Sequence, residues 1–413
     1  MFYPRIIRAK LSTALKYFPA VFLTGARQVG KSTLALSMFE NYITLDDTTV
    51  YSSALADPPL FISNLRKPVV IDEIQKLPEL LSSIKLDIDK NRVNGSYLLT
   101  GSANILALKG ISESLAGRMA IVELFPLSCK EIAGKHDDIV EILFNPDFKD
   151  FTLPSIETDL VIEQIIKGGY PEIQKIDTVM GRYLWFSSYI RTYIERDIRD
   201  LGDLRNLDKF IKMFNLLGPR SANLLNKSEL ARDAQLEIKT LENYLNLLKT
   251  VYQTHVLSPY SRNISKRIVK AQKIFFTDSG ILSHLLGVST KEAFMESPYK
   301  GLIFETFVFS EILKAVKYSD KPTELYFYRT FDRHEIDFII EQGRSIVAIK
   351  VKFSKTVTWD DFKYIASLDK AVENLKAGYV IYMGDRILPF GEKFFALPVS
   401  IFFDLKWKHH ARF

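Results

Sequence analysis

Two groups of residues in this chain have types and spacings that could do chemistry. The first runs Gly25, Ala26, Arg27, Gln28, Val29, Gly30, Lys31, Ser32, Thr33, which fits the spacing G-x-x-x-x-G-K-[ST]. It follows a short β-like run, Val21 to Leu23, and opens a helix-like run from Thr33. In that setting glycines let the backbone wrap around phosphate oxygens, and N–H groups at the helix start add partial positive charge. Lys31 is expected to reach the β and γ phosphates of ATP. Ser32 is expected to ligate Mg2+, whose small octahedral shell accepts a hydroxyl together with waters and phosphate oxygens. The partner acids close the apolar run of residues 67–75, which ends in Asp72 and Glu73, as a strand buried in a parallel sheet would. Asp72 would hold Mg2+ through water, and Glu73 would orient and polarise the water that attacks the γ-phosphate.

Two later stretches extend this site. Residues 96–104 read as a strand that delivers Thr100, Ser102 and Asn104, and Ser102 is the first candidate to face the γ-phosphate or the water. Arg118, between Gly117 and an alternating apolar run, is either a surface arginine or one that neutralises charge developing on the γ-phosphate.

The second group lies near the C-terminus. Asp337 on one strand-like run, a turn at residues 341–344, and Lys350 and Lys352 on the next run almost form the two-acid, one-lysine Mg2+ site of many nucleases. A glutamate would be needed where Lys350 stands. Side chains two apart on a strand share a face, so Asp337, Lys350 and Lys352 can meet. Glu335 is the one nearby residue that could replace the missing acid, and an ion pair with Lys350 or Lys352 is its simpler use.

The elements that must position these residues follow from length and periodicity. At 413 residues the chain exceeds what a single core supports. The division expected is an α/β P-loop region with a parallel sheet over residues 1–160, a helical and winged-helix region over 161–290, and an α/β region over 291–413. Residues 228–250 read as helix, short connection, helix, with Ser228 as the expected N-cap. Two strands then bracket a basic tip carrying Arg262, Lys266, Arg267 and Lys270, which could track the phosphates of DNA or form a solvated wing. Residues 201–290 hold thirteen basic against seven acidic side chains, while the whole chain carries +6. Thr277 to Gly280 reads as a turn before a helix. One cysteine, Cys129, excludes an internal disulfide framework. No run is long enough to span a membrane, so a reducing cytoplasm is the expected location.

Taken in order, GARQVGKST, VVIDEIQ, LLTGSAN, SLAGR, FPLSCKEI, GGYPE, FTDSGI and EIDFII resemble a family of archaeal and bacterial AAA-type ATPases with a C-terminal domain of unknown function. The resemblance implies ATP binding, hydrolysis, a middle winged-helix region and a C-terminal fold related to restriction endonucleases. In that fold Glu305 corresponds to the helix acid, Asp337 to the strand acid, Lys350 to the departed second acid and Lys352 to the lysine, a degenerate nuclease site. The function expected is an ATPase that turns ATP into ADP and phosphate, with catalytic roles for Glu73, Lys31, Ser102 and Arg118. Its rivals are a nucleotide-dependent scaffold and an ATP-dependent DNA-processing nuclease. Candidate partners are DNA, a second protein and further copies of the chain.

Overall fold

The computed structural model of the chain describes residues 3–102, 115, 117–148, 151–152, 156–194, 207–261, 271–330, 332, 334–403 and 406–407. In the N-terminal region β1 (Ala20–Thr24), β2 (Asn41–Thr44), β3 (Val69–Asp72), β4 (Tyr97–Gly101) and β5 (Met119–Glu123) form one sheet in the order β2-β3-β4-β1-β5. All its pairings are parallel. Such a sheet is covered on both faces, so its inner strands read as unbroken apolar runs, and β1, β3 and β4 are buried at every position. The edge strand β5 needs less cover, and its Ile121 is half exposed. Because the strands run the same way, the loops after β1, β3 and β4 meet at one end of the sheet, where ligands of open α/β sheets bind.

β6 (Phe151–Thr152) opens a middle stretch that is mainly helical. The two expected helices are Lys227–Ala234 and Ile238–Thr250, and their buried faces use Leu230, Ala231 and Ala234, then Leu241, Tyr244, Leu245 and Leu248. The first is capped two residues earlier than expected. The side chain of Asn226, not Ser228, accepts from Glu229 N at 3.1 Å. After β7 (Asn223–Leu224) and these helices, β8 (Thr254–Leu257) and β9 (Lys273–Phe276) complete a three-stranded antiparallel sheet, β7-β9-β8. The tip between them, with Arg262, Lys266, Arg267 and Lys270, lies outside the described residues. Thr277 to Gly280 is a helix start: Asp278 accepts from Gly280 N and Ile281 N and caps the helix Ser279–Leu285.

The C-terminal region is a six-stranded mixed sheet of β10 (Thr323–Arg329), β11 (Glu335–Gln342), β12 (Ser345–Lys352), β13 (Leu375–Tyr382), β14 (Leu388–Pro389) and β15 (Phe394–Pro398), in the order β10-β11-β12-β13-β15-β14. The β11–β12 hairpin closes at Gly343 and Arg344, with Gln342 paired to Ser345. β16 (Lys406–Trp407) pairs with β6, so the two ends of this half of the chain meet. One helix, Lys300–Tyr318, joins the regions: thirteen of its nineteen residues are buried. It belongs to an apolar core that runs without interruption from Ile7 to Phe402.

Candidate functional site

The phosphate-loop residues sit where β1 ends. Gly25 has φ +153°, and a Cβ there would stand 2.1 Å from Leu124 O, so only glycine admits the backbone that follows β5. Gly30, at φ +96°, turns the chain into the helix Lys31–Leu36. The Lys31 ammonium is buried and donates to Gly25 O at 3.0 Å and Ala26 O at 2.8 Å, so its positive charge is held inside the loop. Ser32 Oγ donates to Asp72 Oδ2 at 2.9 Å. The loop serine and the acid that ends β3 thus meet, although forty residues separate them.

The neighbours of Asp72 extend the group. Thr100 Oγ1, from β4, donates to Asp72 Oδ1, and the Tyr42 hydroxyl, from β2, donates to Oδ2. Burial and the Asp72 carboxylate both push the Tyr42 hydroxyl well above the usual phenol range, so it stays a donor. Glu73 has left-handed backbone, φ +58°, uncommon for a residue with a side chain and frequent at functional sites. Its carboxylate accepts from the Gln75 side-chain amide, which also donates to Ser102 Oγ at 3.2 Å. The structure therefore brings together Lys31, Ser32, Asp72, Glu73 and Ser102 at the carboxyl ends of three neighbouring strands.

Arg118 lies elsewhere. Its carbonyl accepts from Ala20 N at the start of β1, and its guanidinium binds Asp89 at 2.5 and 3.1 Å. The loop is at the other end of β1, about 16 Å away for five residues of strand. The expectation that Arg118 neutralises the γ-phosphate fails within one chain because a strand delivers ligands only from its carboxyl end.

Arg5 was not foreseen. Its buried guanidinium donates to Val29 O at 2.6 Å, Phe125 O at 2.6 Å and Glu131 Oε1 at 3.0 Å. It ties the phosphate loop to the segment 125–131. That segment is held in turn by the helix Lys300–Tyr318: Tyr318 Oη accepts from Phe125 N, Lys314 Nζ donates to Leu127 O, and Glu311 accepts from Cys129 N. Gly169 N donates to Asp278 Oδ2 at 2.7 Å, and Gly169 O accepts from Leu127 N at 2.7 Å, so the GGYPE and FTDSG stretches are joints between regions.

Ser32, Asp72 and the loop fit Mg2+ and a nucleotide. Oxygen donors suit a hard cation, and the lysine, now turned onto two carbonyls, is the group a phosphate would draw away.

The C-terminal group assembles differently from expectation. Lys350 Nζ donates to Asp337 Oδ1 at 2.8 Å, and Val351 N donates to Oδ2 at 2.7 Å, so the strand acid is satisfied by its neighbour strand. Lys352 pairs with Asp361 at 2.8 Å and not with Asp337. Glu335 pairs with neither Lys350 nor Lys352. Its partners are Arg329 and Lys273, which comes from β9 of the middle region. Lys273 Nζ lies 3.0 Å from Glu305 and 2.6 Å from Glu335, and is almost wholly buried. Burial would lower its pKa, but the carboxylates of Glu305, Asp337 and Glu335 outweigh that and raise it. Burial, then the nearby Asp337 charge, pushes Glu305 up to about 7. Among the described residues no group of three or more His, Cys, Asp or Glu could hold a metal ion. Two ammonium groups stand among the acids instead.

Residues 17–133 match the family model of an AAA domain, residues 158–292 that of a domain of unknown function (DUF8612), and residues 300–402 that of a second (DUF4143). The chain is 28% identical over 395 residues to an uncharacterized protein of Mycobacterium tuberculosis, covering 95% of this chain and 82% of the relative. It is 24% identical over 351 residues to an uncharacterized protein of Methanocaldococcus jannaschii, covering 81% and 73%. A Walker-type ATPase of Pyrococcus abyssi aligns over 69% of this chain and 96% of its own, at 16% identity and a TM-score of 0.37. The parallel sheet, the loop and the AAA match define the N-terminal region as P-loop and AAA-type ATPase-like, a setting for ATP binding. No helix among the described residues is long and apolar enough to cross a membrane.

Proposed function

We propose that this protein is an AAA-type ATPase that binds ATP with Mg2+ at residues 25–33 and hydrolyses it to ADP and phosphate. The observation that carries the reading is the meeting of Ser32 with Asp72 beside the loop that holds Lys31. Bound Mg2+ would neutralise charge on the β and γ oxygens. Lys31 then leaves the carbonyls of Gly25 and Ala26 for the phosphates, while Ser32 and Asp72 hold the metal directly and through water. Glu73 accepts a hydrogen bond from the water and polarises it for attack on phosphorus; Ser102 orients that water or the γ-phosphate. Arg118 takes part only across a subunit boundary, which makes a homo-oligomer part of the proposal. The domain division proposed is 1–160, 161–290 and 291–413, the middle part winged-helix and the last restriction-endonuclease-like.

Lys31→Ala is expected to abolish equilibrium binding of ATP with Mg2+, since the lysine that opens the helix is the loop side chain that reaches the β and γ phosphates. Unchanged affinity would sink the assignment. The C-terminal centre is proposed to be inactive as a nuclease. Incubation of supercoiled, linear and single-stranded DNA with Mg2+ or Mn2+, with and without ATP, should give no cleavage, and nicking abolished by Asp337→Ala would overturn this. Contact of the basic tip with DNA and a cytoplasmic site of action remain part of the proposal, supported by sequence alone.

A further inference from the structure

Asp72 is surrounded by more hydroxyl groups than a phosphate-loop acid needs to be held in place. A carboxylate offers about four acceptor directions. Three are taken here: Ser32 Oγ and the Tyr42 hydroxyl share Oδ2, and Thr100 Oγ1 takes Oδ1. The Tyr42 and Ser32 hydroxyls thus meet at one carboxylate oxygen of Asp72. Tyr42 therefore holds one of the two residues placed on the metal, at the oxygen the other also reaches, without being placed there itself. The register explains the reach. Thr44 of β2 is paired with Asp72 of β3, and Tyr42, two residues earlier, is paired with Val70. The side chain leans forward along the strand, with its ring partly buried against the core and its hydroxyl at the carboxylate. Nothing in the packing of an edge-strand ring calls for a hydroxyl at that point, because phenylalanine would fill the same space.

Mg2+ demands near-ideal octahedral geometry and gives up its waters reluctantly. A serine oxygen bound directly and a carboxylate acting through water must be held at fixed separation and angle, and a carboxylate that rotates loses that setting. We propose that Tyr42 is a positioning residue for the metal, its hydroxyl locking the Asp72 carboxylate, to which Ser32 is also bonded, in the arrangement that receives Mg2+ on the bound nucleotide. The inference rests on the nucleotide reading of the site given above. It separates two quantities that a merely structural tyrosine would change together: metal affinity, which depends on the hydroxyl, and metal-free nucleotide affinity, which depends on the loop and Lys31.

The test compares the full chain with its Tyr42→Phe variant in two titrations. In the first, Mn2+ is added to the ADP-saturated protein, and free Mn2+ is read by its paramagnetic resonance signal. In the second, a fluorescent ADP analogue is titrated in the presence of EDTA. Loss of an outer-shell hydrogen bond typically weakens metal binding by about 10- to 100-fold. The expected result is a Mn2+ affinity about tenfold weaker in Tyr42→Phe, with analogue binding in EDTA unchanged within about twofold. Equal Mn2+ affinity in the two proteins overturns the inference, as does a parallel loss in both titrations, which would mark a structural tyrosine. If Tyr42→Phe melts several degrees lower, both titrations are repeated well below its midpoint, where the same ratio decides. Absence of analogue binding by the unmodified chain overturns the nucleotide reading and the inference with it. Normal binding with no Tyr42→Phe effect overturns the inference alone.

Discussion

Glu73 shows how much a single side chain decides here. Its left-handed backbone turns the carboxylate toward the amide of Gln75, whose nitrogen also reaches Ser102. The acid proposed to polarise water is therefore held by a neighbour that can release it when a γ-phosphate takes Ser102. Glu73→Gln keeps the shape but cannot accept a proton from water. It is expected to leave ATP bound while turnover falls by about 100-fold or more, measured as phosphate release under saturating ATP. Turnover at the unmodified rate would remove Glu73 from catalysis. At this scale the sequence was informative where a motif fixes spacing: Lys31, Ser32, Asp72 and Glu73 follow from local order alone. Tyr42 and Arg5 were not legible. Each reaches the site by a long-range pairing, Tyr42 through the β2–β3 register and Arg5 through a contact with a segment 120 residues away. A lone tyrosine in a short strand, or an arginine before a helix, carries no spacing signal. Arg118 was misplaced for the converse reason: a nearby motif suggested proximity, while the direction of β5 put the residue at the wrong end.

Among elements, β9 and the helix Lys300–Tyr318 matter most. A strand after the basic tip was legible in the sequence, but not that β9 drives Lys273 into the acids of the C-terminal sheet, because the pairing of a lysine with Glu305 and Glu335 joins three distant elements. Taking that lysine away leaves buried carboxylates without their cation. Lys273→Ala is expected to cost about 3 kcal/mol in urea unfolding, and addition of Glu305→Gln to recover part of it. Glu305 also gives the region a pH signature. Its folded pKa is raised to about 7, above the value of an unfolded glutamate. Near pH 4 both states hold the proton and the penalty is absent. It grows as pH rises through the unfolded value and is complete above about 7, so this group lowers stability with rising pH. Against Glu305→Gln, the unmodified chain should lose about 3 kcal/mol between pH 4.5 and 7.5. A parallel pH profile for the two proteins would mean that Lys273 keeps Glu305 ionised throughout.

The molecule as a whole is tied together through its longest helix. Residue 305 is at the lysine-filled acidic centre, and residues 311–318 hold the segment that Arg5 links to the phosphate loop. About 20 Å of helix separates Glu305 from Tyr318, and a buried helix transmits displacement rather than absorbing it. One buried apolar cluster takes residues from all three regions, from Ile7 to Phe402 in sequence, this helix's among them. The joints that bind the larger sheets lie in stretches that the sequence marked only by their resemblance to a family, such as residues 125–131 and 168–172. The three tryptophans give a direct test, because Trp185, Trp359 and Trp407 all lie beyond the N-terminal sheet. Their fluorescence reports unfolding of the middle and C-terminal regions alone. ATP with Mg2+ at one hundred times its dissociation constant stabilises the state that binds it by about 2.7 kcal/mol. If the regions unfold as one, that free energy is shared over the whole chain and raises the tryptophan-monitored midpoint by about 3 °C. If the phosphate-loop region unfolds separately, its ligand stabilises only itself and the tryptophan transition stays where it is. The hydrogen bonds from Glu311, Lys314 and Tyr318 to residues 125–129 predict the shift, and Tyr318→Phe with Glu311→Gln, which loosens that joint while leaving the loop intact, should diminish it.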